Sequence, residues 1–90
     1  MKSLFLVDVQ KPDLLRSALS QVLPAQGETW ILSSVAGDPV AYFSIVIEED
    51  ALEVQADISG RHFREDDAVA AVLNKIGAIV GGRVRNEENA

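Results

Sequence analysis

The sequence predicts an α+β fold, a two-layer sandwich in the order β-α-β-β-β-α-β with a mostly antiparallel sheet and both helices on one face. Three observations predict this class. Two stretches repeat apolar residues at helical spacing, five shorter stretches concentrate or alternate them as strands do, and proline, glycine and acidic residues separate these stretches. The order of the stretches along the chain is therefore its most informative feature.

The composition indicates one globular domain. The chain has 90 residues, of which 48% are hydrophobic and 24% charged, values that are typical of ordinary folded proteins. We expect a single domain over residues 1–90, with a structured core over 3–85 and a frayed tail at 86–90. The sequence contains no cysteine, which excludes disulfides, thiolate metal sites and cysteine nucleophiles.

The first two predicted elements are a strand and a helix. The strand covers Leu4 to Val9 and is apolar on both alternating faces until Asp8, which is typical of a strand in the middle of a sheet. A helix follows from Pro12, because proline fixes φ for a first turn. Its apolar residues recur at helical spacing: Leu14, Leu15, Ala18, Leu19, Val22 and Leu23. Residues 24–27 are expected to form a loop.

Three strands are predicted in the middle of the chain. The first covers Thr29 to Val35, and turn-forming residues at 36–39 join it to the next, so these two are expected to form an antiparallel hairpin. In the second, one face carries Ala41, Phe43, Ile45 and Ile47. In the third, polar residues alternate with Leu52, Val54, Ala56 and Ile58, the pattern of a half-buried strand.

The second helix is the better defined one. It begins with the acidic residues 65–67, whose charge suits a helix N-terminus. Its apolar residues share one side: Val69, Val72, Leu73, Ile76, Ile79 and Val80. Gly81 and Gly82 are expected to end it, because glycine adopts the left-handed conformation that closes a last turn. A short strand at 83–85 follows.

Taken together, these elements resemble a ferredoxin-like plait that carries an extra hairpin strand, and the resemblance covers residues 3–85. This plait serves in regulators, nucleic-acid binders, metal carriers and enzymes alike, so the fold by itself names no function. No motif in the chain is specific enough to name a family within it.

Charge and hydropathy exclude some partners. Eight basic and fourteen acidic residues give a net charge of −6, which repels a phosphate backbone, so no nucleic-acid partner is expected. No apolar stretch approaches the roughly 18 residues that a membrane-spanning helix needs. Asp8 interrupts the apolar run at the start, and no signal-peptide cleavage site follows. We expect a soluble, cytoplasmic protein with no membrane partner and no cofactor.

The candidate ligand site is the segment 59–64, which leads into the second helix. Arg61, His62 and Arg64 lie there beside a helix N-terminus, an arrangement that can bind a carboxylate or phosphate. Against this, the acidic residues that follow already supply the negative charge that the helix dipole favours. The alternative is a solvated loop with local Arg–Asp pairs.

His62 is also the weak candidate for a general base, because it is the single histidine of the chain. A base needs an oriented partner, for which the candidates are Asp8, Asp57 and Asp66. The alternative is an ordinary loop or surface histidine. No metal site is predicted, because there is no second histidine and the carboxylates match no calcium loop.

Two groups of strand residues leave alternatives open. Glu48, Glu53 and Asp57 are expected to share the polar face of the sheet, which is either simply solvated or accepts a basic partner protein or a hard cation. Trp30 and Tyr42 are expected in the core. If both instead lie outward, they form an exposed apolar patch of the kind found at interfaces.

A stripe of small residues on the second helix is the candidate interface. It consists of Ala70, Asn74, Gly77 and Gly81. Because glycine inside a helix costs about 1 kcal/mol relative to alanine, Gly77 indicates the close approach of another backbone or helix. That neighbour is either the first helix of the same chain or the second helix of a homodimer partner.

Three functions remain open. The leading hypothesis is a non-enzymatic binding or interaction module, expected to be a homodimer that associates through an open sheet face or edge, with a protein partner as a further option. The first alternative is a small-ligand regulatory domain, similar in layout to amino-acid-sensing plaits, with an anion site near 59–64. The second is a small dimeric α/β-barrel-type enzyme that uses His62. We lean against an enzyme, because the sequence shows no catalytic constellation.

Overall fold

A computed structural model of the protein describes residues 2–86, apart from the side chains of Arg61 and Phe63. This part of the chain is α+β. Its strands are β1 (Lys2–Val7), β2 (Ala25–Gln26), β3 (Thr29–Ser33), β4 (Pro39–Glu48), β5 (Ala51–Ile58) and β6 (Arg83–Asn86), and its helices are α1 (Leu15–Val22) and α2 (Asp66–Val80). Short 3-10 turns, Pro12–Leu14 and Gly60–Glu65, precede the two helices. Neither of these helices is long and apolar enough to cross a membrane.

The six strands form one sheet in the order β2-β3-β4-β5-β1-β6, and each described pairing is antiparallel. The sequence predicts a loop at 24–27, but Ala25 and Gln26 pair with Trp30 and Thr29. The hairpin of β2 and β3 reverses the direction of the chain once more than the sequence predicts. As a result, β5 runs antiparallel to its neighbour β1. The α+β class and the antiparallel sheet are confirmed, whereas the ferredoxin-like strand order is not.

The core lies between one face of this sheet and the two helices. Leu4 and Phe43 pair with Ala56 from either side of β5, and Trp30 pairs with Phe43. The helices contribute buried residues at helical spacing: Leu15, Ala18, Leu19, Val69, Leu73, Ile76 and Val80. All these side chains belong to one hydrophobic cluster, so both helices pack on the same face of the sheet.

Two apolar residues that the sequence places on this core are exposed. Leu14 belongs to the 3-10 turn that precedes α1, not to the helix, and it is 44% exposed. Ile47 is 75% exposed, and it lies at the end of β4 beside the turn into β5. The apolar alternation of β4 therefore continues past the point where the helices cover the strand.

The end of α2 depends on its two glycines. Gly81 has a φ of 79° and donates its N–H to the carbonyl oxygen of Gly77 at 2.7 Å. A Cβ at Gly82 would lie 2.8 Å from the carbonyl oxygen of Val7, so only glycine allows β6 to approach β1 here. Strand β6 continues through Asn86, which the sequence assigns to the tail. Residues 87–90 lie outside the described part.

Candidate functional site

The second face of the sheet has no helix over it in the described part of the chain. Alternate side chains of each strand lie on this face, and paired residues of neighbouring strands share it. This surface, called the open face below, carries Ser3, Phe5, Val7, Ile31, Tyr42, Ser44, Val46, Glu48, Glu53, Gln55, Asp57, Arg83 and Arg85. Most of these side chains are half-buried. An uncovered sheet face of mixed polarity is available to a ligand or partner.

Positive and negative charges lie on opposite sides of the open face. Arg83 and Arg85 belong to the edge strand β6, whereas Glu48 and Glu53 belong to β4 and β5. The guanidinium carbon of Arg85 lies 5.1 Å from the centroid of the Phe5 ring, within the range of a cation–π interaction. The acidic face that the sequence predicts is therefore bordered by a basic edge.

A fixed carboxylate lies near one end of the open face. Asp57 Oδ1 accepts hydrogen bonds from Ser3 Oγ at 2.6 Å and from Gln55 Nε2 at 2.8 Å. Ser3 is buried, and it reaches Asp57 because β1 and β5 pair with these two residues opposite each other. Two donors on one oxygen orient the carboxylate and satisfy half of its acceptor capacity.

An open cavity of about 400 Å3 adjoins this carboxylate where β5 leaves the sheet. The described residues that line it are Tyr42, Asp57, Ile58, Ser59 and Gly60. Tyr42 lies directly opposite Asp57 in the β4–β5 ladder and is 43% exposed. The cavity thus combines an oriented negative charge with an aromatic side chain and the backbone of the segment 59–60.

The anion-binding residues predicted from the sequence lie in the 3-10 turn after this cavity. Arg64 is exposed, and the side chain of Arg61 lies outside the described part of the structure. His62 is half-buried, and its Nδ1 lies within hydrogen-bond distance of the carboxylate of Glu65. The described contacts therefore place a carboxylate beside His62, and the anion site stays a prediction.

Glu65 also changes the account of His62 as a general base. The sequence suggests three aspartates as its partner, and the described contacts engage each of them elsewhere: Asp8 with Arg83, Asp57 with Ser3 and Gln55, and Asp66 with Lys2. The hydrogen bond from the Lys2 ammonium lowers the pKa of Asp66 below its ordinary value. Residues 2–86 hold no group of three or more His, Cys, Asp or Glu side chains placed to bind a metal ion.

The small-residue stripe of α2 has neighbours within the same chain at both glycines. A Cβ at Gly77 would lie 3.2 Å from Leu6 Cδ1, and one at Gly81 would lie 2.6 Å from Gln10 Cγ. Gly77 thus approaches β1 and not α1, the intramolecular neighbour that the sequence suggests. Ala70 is half-buried and Asn74 is exposed. A role of these four residues in a subunit interface stays a prediction.

The aromatic residues divide between the two faces. Trp30 is buried, and its Nε1 donates to Ser20 Oγ in α1 at 3.0 Å. Tyr42 lies on the open face, so the prediction that both are core residues is right for Trp30 and wrong for Tyr42. The exposed pair of aromatic residues considered as an alternative does not form.

Comparison with known proteins adds no family to this description: no family model matches the sequence, and no curated protein or solved structure matches it significantly. The site therefore rests on its geometry. Sequence analysis missed Ser3 and Gln55 as partners of Asp57. The alternation of β5 already places Gln55 on the face of Asp57, but only the strand register shows Ser3.

Proposed function

We propose that this chain is a non-enzymatic binding module that associates with a second copy of itself through the open face. The observation that carries the proposal is the separation of charge on an uncovered surface. Arginines lie along β6, glutamates lie on β4 and β5, and half-buried apolar side chains such as Phe5 and Val46 lie among them. Such a surface is complementary to itself, as an isologous dimer interface requires. A cytoplasmic location, expected from the sequence, belongs to the same proposal.

The charge pattern selects one of two dimer geometries. A two-fold axis parallel to the strands, passing between β5 and β1, places β6 of one copy over β4 of the other. The basic edge then faces β4, which carries Glu48, and Glu53 lies on the adjacent strand β5. An axis perpendicular to the strands would instead place β6 over β6, with arginine against arginine, which like-charge repulsion disfavours. We therefore propose the parallel axis.

The side chain of Arg85 supports this geometry independently. Its Nε is buried by the chain itself and has no acceptor within the described part, and its guanidinium forms no ion pair with a described carboxylate. In the proposed dimer, a glutamate of the second copy, such as Glu53, pairs with this guanidinium. The pair would then be a charge-assisted hydrogen bond at the rim of the interface.

The two alternative functions have less support. The cavity beside Ser59 favours a small-ligand regulatory domain, but its described charge is the carboxylate of Asp57, which suits a cation and not the expected anion. For an enzyme that uses His62, the described cavity lining does not include the histidine, and its Nδ1 pairs with Glu65 on the same turn. The interaction module instead uses the open face, with both the arginines of β6 and the glutamates of β4 and β5.

Sedimentation velocity over a concentration series tests the dimer, with a charge swap as the decisive variant. Arg85→Glu and Glu53→Arg should each weaken association by about tenfold or more, because each places like charges opposite one another. The double variant keeps the net charge of the wild type and should regain much of the affinity. Lys75→Glu, on the exposed side of α2, repeats the charge change of Arg85→Glu away from the open face and should leave association unchanged.

Two outcomes contradict the proposal. One is a wild-type chain that stays monomeric at the highest concentration reached. The other is a dimer that neither single variant weakens, which would place the interface elsewhere, with the stripe of Ala70, Asn74, Gly77 and Gly81 as the next surface to test. A loss in both single variants without recovery in the double variant would retain the open face and reject the proposed axis.

A further inference from the structure

We infer that the cavity bounded by Tyr42, Asp57, Ser59 and Gly60 is a binding site for a primary ammonium group. The inference rests on the carboxylate and the ring that line this cavity, and it does not depend on the charge pattern used for the dimer. The ligand would be a cation, whereas the sequence predicts an anion at the neighbouring segment 59–64.

Asp57 Oδ1 already accepts from Ser3 and Gln55, whereas Oδ2 has no donor among the described residues. Asp57 is half-buried and lines the cavity. Because both neutral donors contact Oδ1, the other oxygen of the carboxylate is available to a charged donor.

Tyr42 is the cross-strand partner of Asp57, a position that brings the two Cβ atoms to within about 5.5 Å. Tyr42 lines the same cavity and is 43% exposed. An ammonium group beside the carboxylate would therefore also meet the aromatic ring, whose face attracts cations.

Size and charge exclude other ligand classes. A cavity of about 400 Å3 accommodates a small molecule or one long side chain. Anions are disfavoured by Asp57, the one charged residue among the described residues of the lining, and by the net charge of −6. A tightly held metal ion needs more ligands than one carboxylate, and no group of three metal-ligating side chains occurs among the described residues. The ammonium comes either from a free amine or from a lysine side chain of a protein.

The test is a titration of the 15N-labelled chain followed by amide chemical shifts. One arm uses n-butylammonium as the free amine, a second uses Nα-acetyl-lysine methylamide as the lysine side chain, and n-butanol is the uncharged control. We expect saturable shifts at Tyr42, Asp57, Ser59 and Gly60 with one or both ammonium compounds and none with n-butanol. The arm that binds more tightly identifies the source.

Asp57→Asn is the matched variant. The amide oxygen can still accept from Ser3 and Gln55, so the fold should persist while the affinity for the ammonium compounds falls about tenfold or more with the lost charge. Tyr42→Leu should weaken binding severalfold, and it serves as the second variant if Asp57→Asn unfolds. Asp13→Asn removes a charge from the exposed turn before α1, away from the open face and the cavity lining, and should bind as the wild type does.

Three results overturn the inference: no saturable shift with either ammonium compound, equal shifts with n-butanol, or unchanged affinity in both the Asp57→Asn and Tyr42→Leu variants. The Arg85→Glu variant separates this inference from the proposed dimer. If that variant is monomeric and still binds n-butylammonium, the ammonium site belongs to the single chain. A result that contradicts one of the two proposals therefore does not contradict the other.

Discussion

The two faces of the sheet are formed by the same strands, yet their environments differ sharply. Phe43 is fully buried under the helices, whereas Tyr42, its neighbour in β4, is 43% exposed on the open face. Because side chains alternate along a strand, a step of one residue exchanges the two environments. The core face carries the packing that stabilises the chain. The open face is therefore free to carry charged and hydrogen-bonding side chains that a core could not accept.

The largest difference in stability between the two faces is expected when Phe43 and Tyr42 are each replaced by alanine. Phe43→Ala should lower the free energy of unfolding by about 3–5 kcal/mol, because a buried ring is lost and a cavity remains. Tyr42→Ala should lower it by about 1 kcal/mol or less, as is usual for an exposed side chain. Urea unfolding followed by the fluorescence of Trp30 measures both. Equal losses would show that the open face contributes as much packing as the core.

A second pair of variants compares the buried and exposed sides of α2. Gly77→Leu should lower the free energy of unfolding by about 1–3 kcal/mol, because its side chain would be forced against Leu6 of β1. Asn74→Leu, on the exposed side, should change stability little. Neither should alter the oligomeric state in sedimentation velocity. A dimer that dissociates in Asn74→Leu would instead assign the interface to the small-residue stripe.

The smallest expected effect concerns pH. Lys2 of β1 binds Asp66 at the start of α2, and its hydrogen bond lowers the pKa of Asp66 below 3.8. A carboxyl whose pKa is lowered on folding contributes stability above its ordinary pKa, and this contribution is lost as the pH falls through the lowered value. The melting temperature of Lys2→Met should therefore lie below that of the wild type at neutral pH, and the gap should close below pH 3.8.

Arg16→Met is the control for this pH effect. Arg16 lowers the pKa of Glu28 below its ordinary value of 4.5, so the gap for this variant should begin to close at a higher pH than the gap for Lys2→Met. Both side chains of the Arg16–Glu28 pair are well exposed, and the effect should be screened by added salt. A gap that does not vary with pH would mean that the lysine acts through packing.

Most of the core face could be predicted from the sequence, because its signal is local. The alternation in β5 places Val54, Ala56 and Ile58 in the core, and all three are fully buried. The end of α2 at Gly81 follows from the conformational freedom of glycine. These features depend on spacing within one element, which a single sequence displays directly.

The strand order and the site depend on contacts that spacing does not reveal. Strand β2 has two residues, too few for any pattern, yet it reverses the direction of the strands that follow. Ser3 and Asp57 meet across 54 positions of sequence, so their contact is known only from the register. His62 and Glu65 are only three residues apart, so their contact is local. It is not predicted from the sequence, because an acidic residue at this position is interpreted as part of a helix N-terminus.

The position of β1 has a consequence for how the protein is made. Of the six strands this one is synthesised first, but in the sheet it lies between β5 and β6, the last two strands in the sequence. Its apolar side chains, among them Leu4 and Leu6, must therefore wait unpaired until β5, which ends at Ile58, has been synthesised. The antiparallel run from β2 to β5 is the part of the sheet that can assemble earlier. The sheet is thus completed only after β6 has been synthesised and has paired with β1, which closes a long loop of the chain.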